Sequence, residues 1–118
     1  MEPKEIDFEF PRGDTCPLIF SLIDEQKNEI EITENDEIYF TMKRSYNTRE
    51  YILQKKFSDG DIIKETNGYS LVILPNDTNK LNYGTYVYDI CIKSGDLTRT
   101  VCIGNITLTN EATFIYNE

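Results

Sequence analysis

Apolar side chains recur at every second position along most of this chain, and this period sets the fold class. The alternation is clear in residues 6–10, 38–42, 69–73 and 86–92. Successive side chains of a β-strand point to opposite faces of a sheet, so the pattern predicts strands with one buried face. Turn signals rich in Gly, Asn and Asp separate these segments at intervals of about 8–12 residues, a spacing typical of β-sandwiches. We therefore expect one all-β domain over residues 1–118, an antiparallel sandwich of about seven to nine strands.

The same patterns predict local details of this sandwich. Ile30 and Ile32 predict a short strand after a polar turn, and the best helical segment, residues 79–81, allows at most a single turn. A two-residue loop at Gly95 and Asp96 sets the register of the last hairpin, because loop length fixes strand pairing. The expected pairs are Tyr88 with Ile103, Asp89 with Cys102, Ile90 with Val101, and Cys91 with Thr100.

This register places Cys91 and Cys102 diagonally across the hairpin. Diagonal neighbours lie about 7–8 Å apart, which is too far for a disulfide bond. The remaining cysteine is Cys16, and the spacing of the three matches no zinc ligand set. We expect free thiols and no bound metal or cofactor.

The composition argues against several function classes. The formal net charge is −9, and an acidic surface repels phosphate, so no nucleic-acid binding is expected. The chain contains no histidine, which removes Ser-His-Asp and Cys-His catalysis, and no nucleophile–base pair can be drawn, so no enzyme is expected. No apolar run approaches the roughly 20 residues that span a bilayer, and the first residues lack the apolar segment of a signal peptide. We expect synthesis in the cytoplasm and no membrane partner.

A turn that leads into a tyrosine-rich strand makes the fold prediction more specific. Asn82, Gly84 and Tyr86 stand at the spacing of a tyrosine corner, which precedes strand F of immunoglobulin-like sandwiches. In that corner the tyrosine hydroxyl bonds back to the backbone of the preceding loop. Tyr88 occupies the position of the second cysteine, so we expect an immunoglobulin-like sandwich without the disulfide between its sheets. The alternative is an ordinary tyrosine-rich strand.

A longer set of motifs occurs in a fixed order and resembles a known family. The set is Arg12-Gly13-Asp14-Thr15, Asp77-Thr78, Leu81, Gly84, Tyr86-x-Tyr88-Asp89-Ile90, and Gly104-Asn105-Ile106-Thr107-Leu108-Thr109. Together these motifs resemble small tail and baseplate proteins of bacteriophages and prophages of Gram-positive bacteria, such as the immunoglobulin-like N-terminal region of upper baseplate proteins. Residues 29–34 depart from the family because they lack the glycine of its ID-L-TG signature. Within this pattern Arg12-Gly13-Asp14 is interpreted as a turn before a strand and not as an integrin-binding motif.

The resemblance implies a non-enzymatic structural or assembly protein of a phage or prophage tail or baseplate. Such a protein contacts other virion proteins, forms a homo-oligomer and ends in the virion after synthesis in the cytoplasm. Many relatives carry a further receptor-binding part, and because this chain ends at Glu118 we expect a stand-alone assembly module.

Exposed tyrosine and apolar sheet edges are typical of interfaces, and they give the candidate interface residues. These are Tyr39, Phe8, Phe10, Phe114 and Tyr116. The alternative function is a ligand-binding module, for instance a carbohydrate-binding β-sandwich, which needs exposed aromatic side chains on one sheet face. Tyr39, Tyr46 and Tyr51 are the residues that keep this alternative open.

Overall fold

The computed structural model describes residues 3–23, 26–66 and 68–111, which form nine β-strands and one single-turn helix. The strands are β1 (Lys4–Glu5), β2 (Phe8–Pro11), β3 (Cys16–Phe20), β4 (Asp36–Lys43), β5 (Leu53–Lys56), β6 (Ile62–Glu65), β7 (Gly68–Ile73), β8 (Gly84–Ser94) and β9 (Leu97–Thr109). Helix α1 (Pro75–Thr78) lies between β7 and β8.

The strands form two sheets that share one core. The larger sheet has the order β1-β9-β8-β4-β5, with β2 also paired to β9, and the smaller sheet has the order β3-β7-β6. In an immunoglobulin-like sandwich, strands C, F and G share one sheet and strands B, E and D share the other. Here β4, β8 and β9 correspond to strands C, F and G, and β3, β7 and β6 correspond to strands B, E and D. The predicted all-β, immunoglobulin-like sandwich is confirmed, although β1 and β2 run parallel to β9.

The core is formed by the inward positions of both sheets and is rich in aromatic and branched side chains. The side chains that are less than 2% exposed are Tyr69, Tyr88, Phe40, Leu22, Ile38, Met42, Ile62, Leu71, Ile73, Ile106, Leu108 and Thr78. The ring of Tyr88 packs between aromatic neighbours, with its centroid 5.5 Å from those of Phe8 and Phe40. Aromatic pairs at this separation stabilise the core beyond the area that they bury.

The edge strand of the larger sheet is interrupted at Ile6, between β1 and β2. In a regular parallel ladder the Asn105 N–H would bond the Ile6 carbonyl, but it donates to Asp7 Oδ1 at 2.9 Å. The Ile6 carbonyl accepts a hydrogen bond of 2.6 Å from the Tyr88 hydroxyl. Gly104 permits this approach, because a Cβ atom there would lie only 1.9 Å from the Ile6 carbonyl oxygen. The missing side chain of Gly104 therefore lets Tyr88 tie the edge strand to the core.

The predicted register of the last hairpin is wrong beyond Cys91. Cys91 pairs with Thr100 as expected, but Ile90 pairs with Cys102 and the ladder shifts there by one residue, which leaves Val101 as the extra residue of a bulge. The shift turns the even-numbered residues of β9 toward the core: Cys102, Gly104, Ile106 and Leu108. The apolar positions of this segment change from odd-numbered to even-numbered, and an inserted residue accommodates that change. The other predicted pairs also fail, since Asp89 pairs with Ile103 and Tyr88 with Gly104.

The strand predicted at Ile30 and Ile32 is absent from the structure. Only an isolated bridge between Ile23 and Glu29 occurs in this part of the described chain. Both isoleucines are half-buried and pack against the core from an irregular segment. Their alternation therefore reflects burial on one side without strand pairing.

The single helical turn lies at Pro75–Thr78 and not at residues 79–81. Proline suits the first position of a helix because its fixed φ is helical and its missing N–H needs no partner there. The Asp77 carboxylate accepts the Leu74 N–H at 2.7 Å and closes the start of the turn. The same Asp77 oxygen lies 3.0 Å from Lys55 Nζ, so a nearly buried ion pair joins α1 to β5.

Candidate interaction surfaces

The turn before β8 contains the hydrogen bond of a tyrosine corner. The Tyr86 hydroxyl donates to the Asn82 carbonyl at 2.7 Å, and the Tyr86 side chain is 4% exposed. Gly84 has a φ of +135°, a conformation that side-chain-bearing residues rarely adopt. Asn82, Gly84 and Tyr86 thus hold a turn, and Tyr88 lies in the core, so this motif positions the fold and offers no exposed site.

Arg12 of the Arg12-Gly13-Asp14 triplet is held by the same corner. Its guanidinium donates to the Leu81 carbonyl at 2.9 Å and to Glu111 Oε1 at 2.7 Å. The guanidinium carbon also lies 4.2 Å from the centre of the Tyr83 ring. Gly13 has a φ of +84°, and its N–H donates to Thr78 Oγ1 at 2.9 Å. These contacts make the triplet a structural turn that joins the start of the chain to the corner.

The outer face of the smaller sheet exposes apolar side chains where polar ones are usual. Ile19 is 77% exposed, Ile63 is 55% exposed and Val72 is 38% exposed. Ile19 and Ile63 are both in register with Ser70, so they flank it on neighbouring strands, while Val72 stands opposite Pro17. We name this surface the apolar face, defined by Pro17, Ile19, Ile63, Ser70 and Val72. Sequence reasoning missed it, although the signal was present as apolar residues at the outward positions of β3 and β6.

The outer face of the larger sheet carries an open groove with a volume of about 370 Å³. Tyr39 lies there, half-buried, with Lys56 Nζ 5.8 Å from the centre of its ring. The groove also contains Tyr51, Gln54 and Asp89. We name it the tyrosine groove, lined by Tyr39, Thr41, Lys43, Arg49, Tyr51, Gln54, Asp89 and Cys91.

Tyr46 lies outside the tyrosine groove. Its hydroxyl donates to the carbonyl groups of Tyr88 at 3.1 Å and Gly104 at 3.3 Å, across β8 and β9. Of the three tyrosines predicted for a ligand face, the structure brings together Tyr39 and Tyr51 in one groove.

Two further candidate interface residues, Phe8 and Phe10, are not exposed surface. Phe10 is 8% exposed and belongs to the core, and Phe8 is half-buried against the Tyr88 ring. Strand alternation turns these side chains inward, so the outward side of β2 offers Glu9 and the backbone edge. Phe114 and Tyr116 lie outside the described residues.

The titratable groups of the described chain form no metal-binding cluster. No group of three or more Cys, Asp or Glu side chains there is arranged to hold a metal ion. All three cysteines are free, and burial raises the pKa of the Cys16 and Cys91 thiols, which keeps them protonated and unreactive at neutral pH. Among the helices of the described residues, none is long and apolar enough to cross a membrane.

Comparison with known proteins adds no family to these observations. A scan against models of protein families and a search of curated proteins found no match to this chain. The fold and the surfaces therefore define the protein as an all-β sandwich whose apolar face and tyrosine groove are its candidate interaction sites.

Proposed function

We propose that this chain is a non-enzymatic structural protein of a phage or prophage tail or baseplate, and that it acts by joining neighbouring subunits. The ordered motifs that resemble tail proteins support the phage assignment. In the structure those motifs build the corner, the Arg12 turn and the last strand of a sandwich of the same class. A role in assembly requires an exposed surface that becomes more favourable when a partner covers it.

The exposed apolar face carries the proposal. Apolar side chains that stand singly on a surface need no explanation, but neighbouring ones on a flat sheet are typical of interaction sites. Ile19 and Ile63 flank Ser70, so a flat partner contacts both at once. Burying either isoleucine would contribute about 1–2 kcal/mol to association.

The partner that fits this face best is a second copy of the chain. With a net charge of −9, two copies repel one another over most of their surface. The centre of the apolar face has no charged group, and Glu65 at its border is bonded to the Ser70 hydroxyl at 3.3 Å. A two-fold arrangement would place this uncharged patch against itself, which is how most homodimers pair.

The pairing should be weak in isolated chains. Three strands about 4.8 Å apart form a face smaller than the roughly 800 Å² per partner of a standard interface. Dissociation constants between micromolar and millimolar are therefore expected, with tighter association in a particle where several contacts act together.

Sedimentation velocity over a concentration series up to about 1 mM tests this contact. We expect the wild-type chain to associate as concentration rises and Ile19→Glu to remain monomeric, because each copy would have to bury an unpaired carboxylate in the contact. Leu97→Glu is the matched control, since Leu97 is 72% exposed but lies outside the apolar face. A wild-type chain that stays monomeric throughout, or equal effects of the two substitutions, would rule out the apolar face as the contact.

A further inference from the structure

The tyrosine groove is a shallow, open depression whose aromatic and polar lining could contact a small ligand from one side. Ligand sites generally occupy about 300–1,000 Å³ and combine aromatic surface with a few convergent polar groups. This groove, of about 370 Å³, has Tyr39 and Tyr51 as aromatic surface. Tyr51 is 56% exposed, so its ring is available to a ligand.

Its polar groups are held in place by bonds within the protein. Gln54 Nε2 donates to Thr41 Oγ1 at 3.1 Å across β4 and β5. Lys43 Nζ donates to the Thr48 carbonyl at 2.9 Å, so its ammonium stays beside the groove. A ligand therefore meets an organised set of donors and acceptors at little ordering cost.

Asp89 is the acceptor of this groove that is open to a ligand. Burial raises the pKa of its carboxyl, and the nearby Lys43 charge opposes that rise only in part. Within the described chain no side chain or backbone N–H donates a hydrogen bond to this half-buried carboxylate. Hydroxyl groups of a ligand can donate to this carboxylate in place of water.

We propose that the tyrosine groove binds a saccharide, with a pyranose ring against Tyr39 and Tyr51 and its hydroxyls bonded to Asp89 and Gln54. A sugar ring offers an apolar C–H face to aromatic rings and hydroxyls that both donate and accept. An arginine from a protein partner would be repelled by Lys43 and Arg49, which line the same groove.

An NMR titration of the ¹⁵N-labelled full chain tests the proposal. The probes are maltose, cellobiose, lactose and N,N′-diacetylchitobiose, each added to about 20 mM, which detects millimolar dissociation constants. We expect at least one disaccharide to shift amide signals of the groove in a saturable way. No saturable shift with any of the four, or shifts centred elsewhere, would overturn the proposal.

Two variants and one control make the assignment specific. Asp89→Asn, which replaces one of the two carboxylate oxygens by an NH2 donor and removes the charge, and Tyr51→Ser, which removes the ring, should each weaken binding about tenfold or more. Leu97→Ser, at an exposed position at the start of β9 and outside both surfaces, should leave the affinity unchanged. Unchanged affinity in both groove variants would refute the site.

N-Acetylarginine amide distinguishes a protein partner from a sugar. It should leave the groove signals unshifted at the same concentration, and groove shifts with this probe but not with the sugars would refute the saccharide assignment. Because this site lies on the larger sheet, its failure leaves the contact proposed for the apolar face unaffected.

Discussion

Replacing Tyr88 by Phe removes one oxygen atom from the core and leaves every ring contact in place. The Tyr88 hydroxyl donates at 2.6 Å to the Ile6 carbonyl, and its ring is 1% exposed. Burial raises the pKa of this hydroxyl, so it remains a donor throughout the range in which the protein folds. The Ile6 carbonyl has no ladder partner, because the Asn105 N–H bonds Asp7.

The cost follows mainly from the loss of the bond to Ile6, since the other contact of the hydroxyl, with Cys102 Sγ at 3.4 Å, is weak. Leaving a buried carbonyl without a partner costs about 1–3 kcal/mol, and the 41% exposure of Ile6 lets water reach the site, which favours the lower half of this range. We expect a loss of about 1–2 kcal/mol in the free energy of unfolding. For a domain of this size the melting temperature should fall by about 4–8 °C.

Urea denaturation followed by circular dichroism measures the loss. Tyr51→Phe is the matched control, because Tyr51 is 56% exposed and the same substitution there should change stability by less than about 0.5 kcal/mol. Equal stabilities of the two variants would refute the reasoning that Tyr88 ties the edge strand to the core.

Three further predictions concern the corner, the edge strand and the tyrosine groove. Gly104→Ala should lower the free energy of unfolding by about 3 kcal/mol, because the new Cβ atom would lie 1.9 Å from the Ile6 carbonyl oxygen. A loss below about 0.5 kcal/mol in urea denaturation would contradict this prediction. Tyr86→Phe should lower the free energy of unfolding by about 1 kcal/mol, because it removes the 2.7 Å hydrogen bond to the Asn82 carbonyl. Urea denaturation measures this loss, and unchanged stability would show that the corner bond contributes nothing. Burial raises the pKa of Asp89 above its ordinary value of 3.8, so ionising it destabilises the fold as the pH rises through this range. Asp89→Asn should therefore be more stable than the wild-type chain at pH 7, and the gain should vanish below about pH 4; thermal melts that show the same gain at pH 3 and pH 7 would argue against it.

The sandwich is predictable from sequence because its strands alternate strictly and its corner has a fixed spacing. Strands β4, β7 and β8 each bury one face, so apolar residues must occupy every second position. The tyrosine corner depends on local spacing between Asn82 and Tyr86, which the sequence displays directly. These features need no knowledge of distant contacts.

The remaining features depend on contacts that the local pattern does not contain. The hairpin loop sets the register only near Gly95, and the bulge at Val101 appears farther along the strand, where the core selects the inward residues. Ile30 and Ile32 alternate like a strand but meet no partner strand. The helix begins at Pro75 through local signals that were overlooked, but the ion pair of Asp77 with Lys55, which joins it to β5, is a distant contact.

The candidate surfaces were also predictable only in part, because they too depend on distant contacts. Tyr39 was predictable as an outward residue, but its grouping with Tyr51 and Asp89 depends on how the connection between β4 and β5 folds over the sheet. Phe8 and Phe10 look like edge residues in the sequence, yet their side chains turn inward because β2 pairs with β9. The apolar face appears only when Ile19 and Ile63 are brought together by β7.

Quantitative mass spectrometry of purified particles tests the proposed role in a tail most directly. Particles would be induced from a strain that encodes this chain, purified on a density gradient and compared with the soluble fraction of the same lysate. We predict that the chain co-sediments with tail proteins in a constant ratio and in more than one copy per particle. A chain that is expressed but stays entirely in the soluble fraction, with none in the particles, would contradict the proposal.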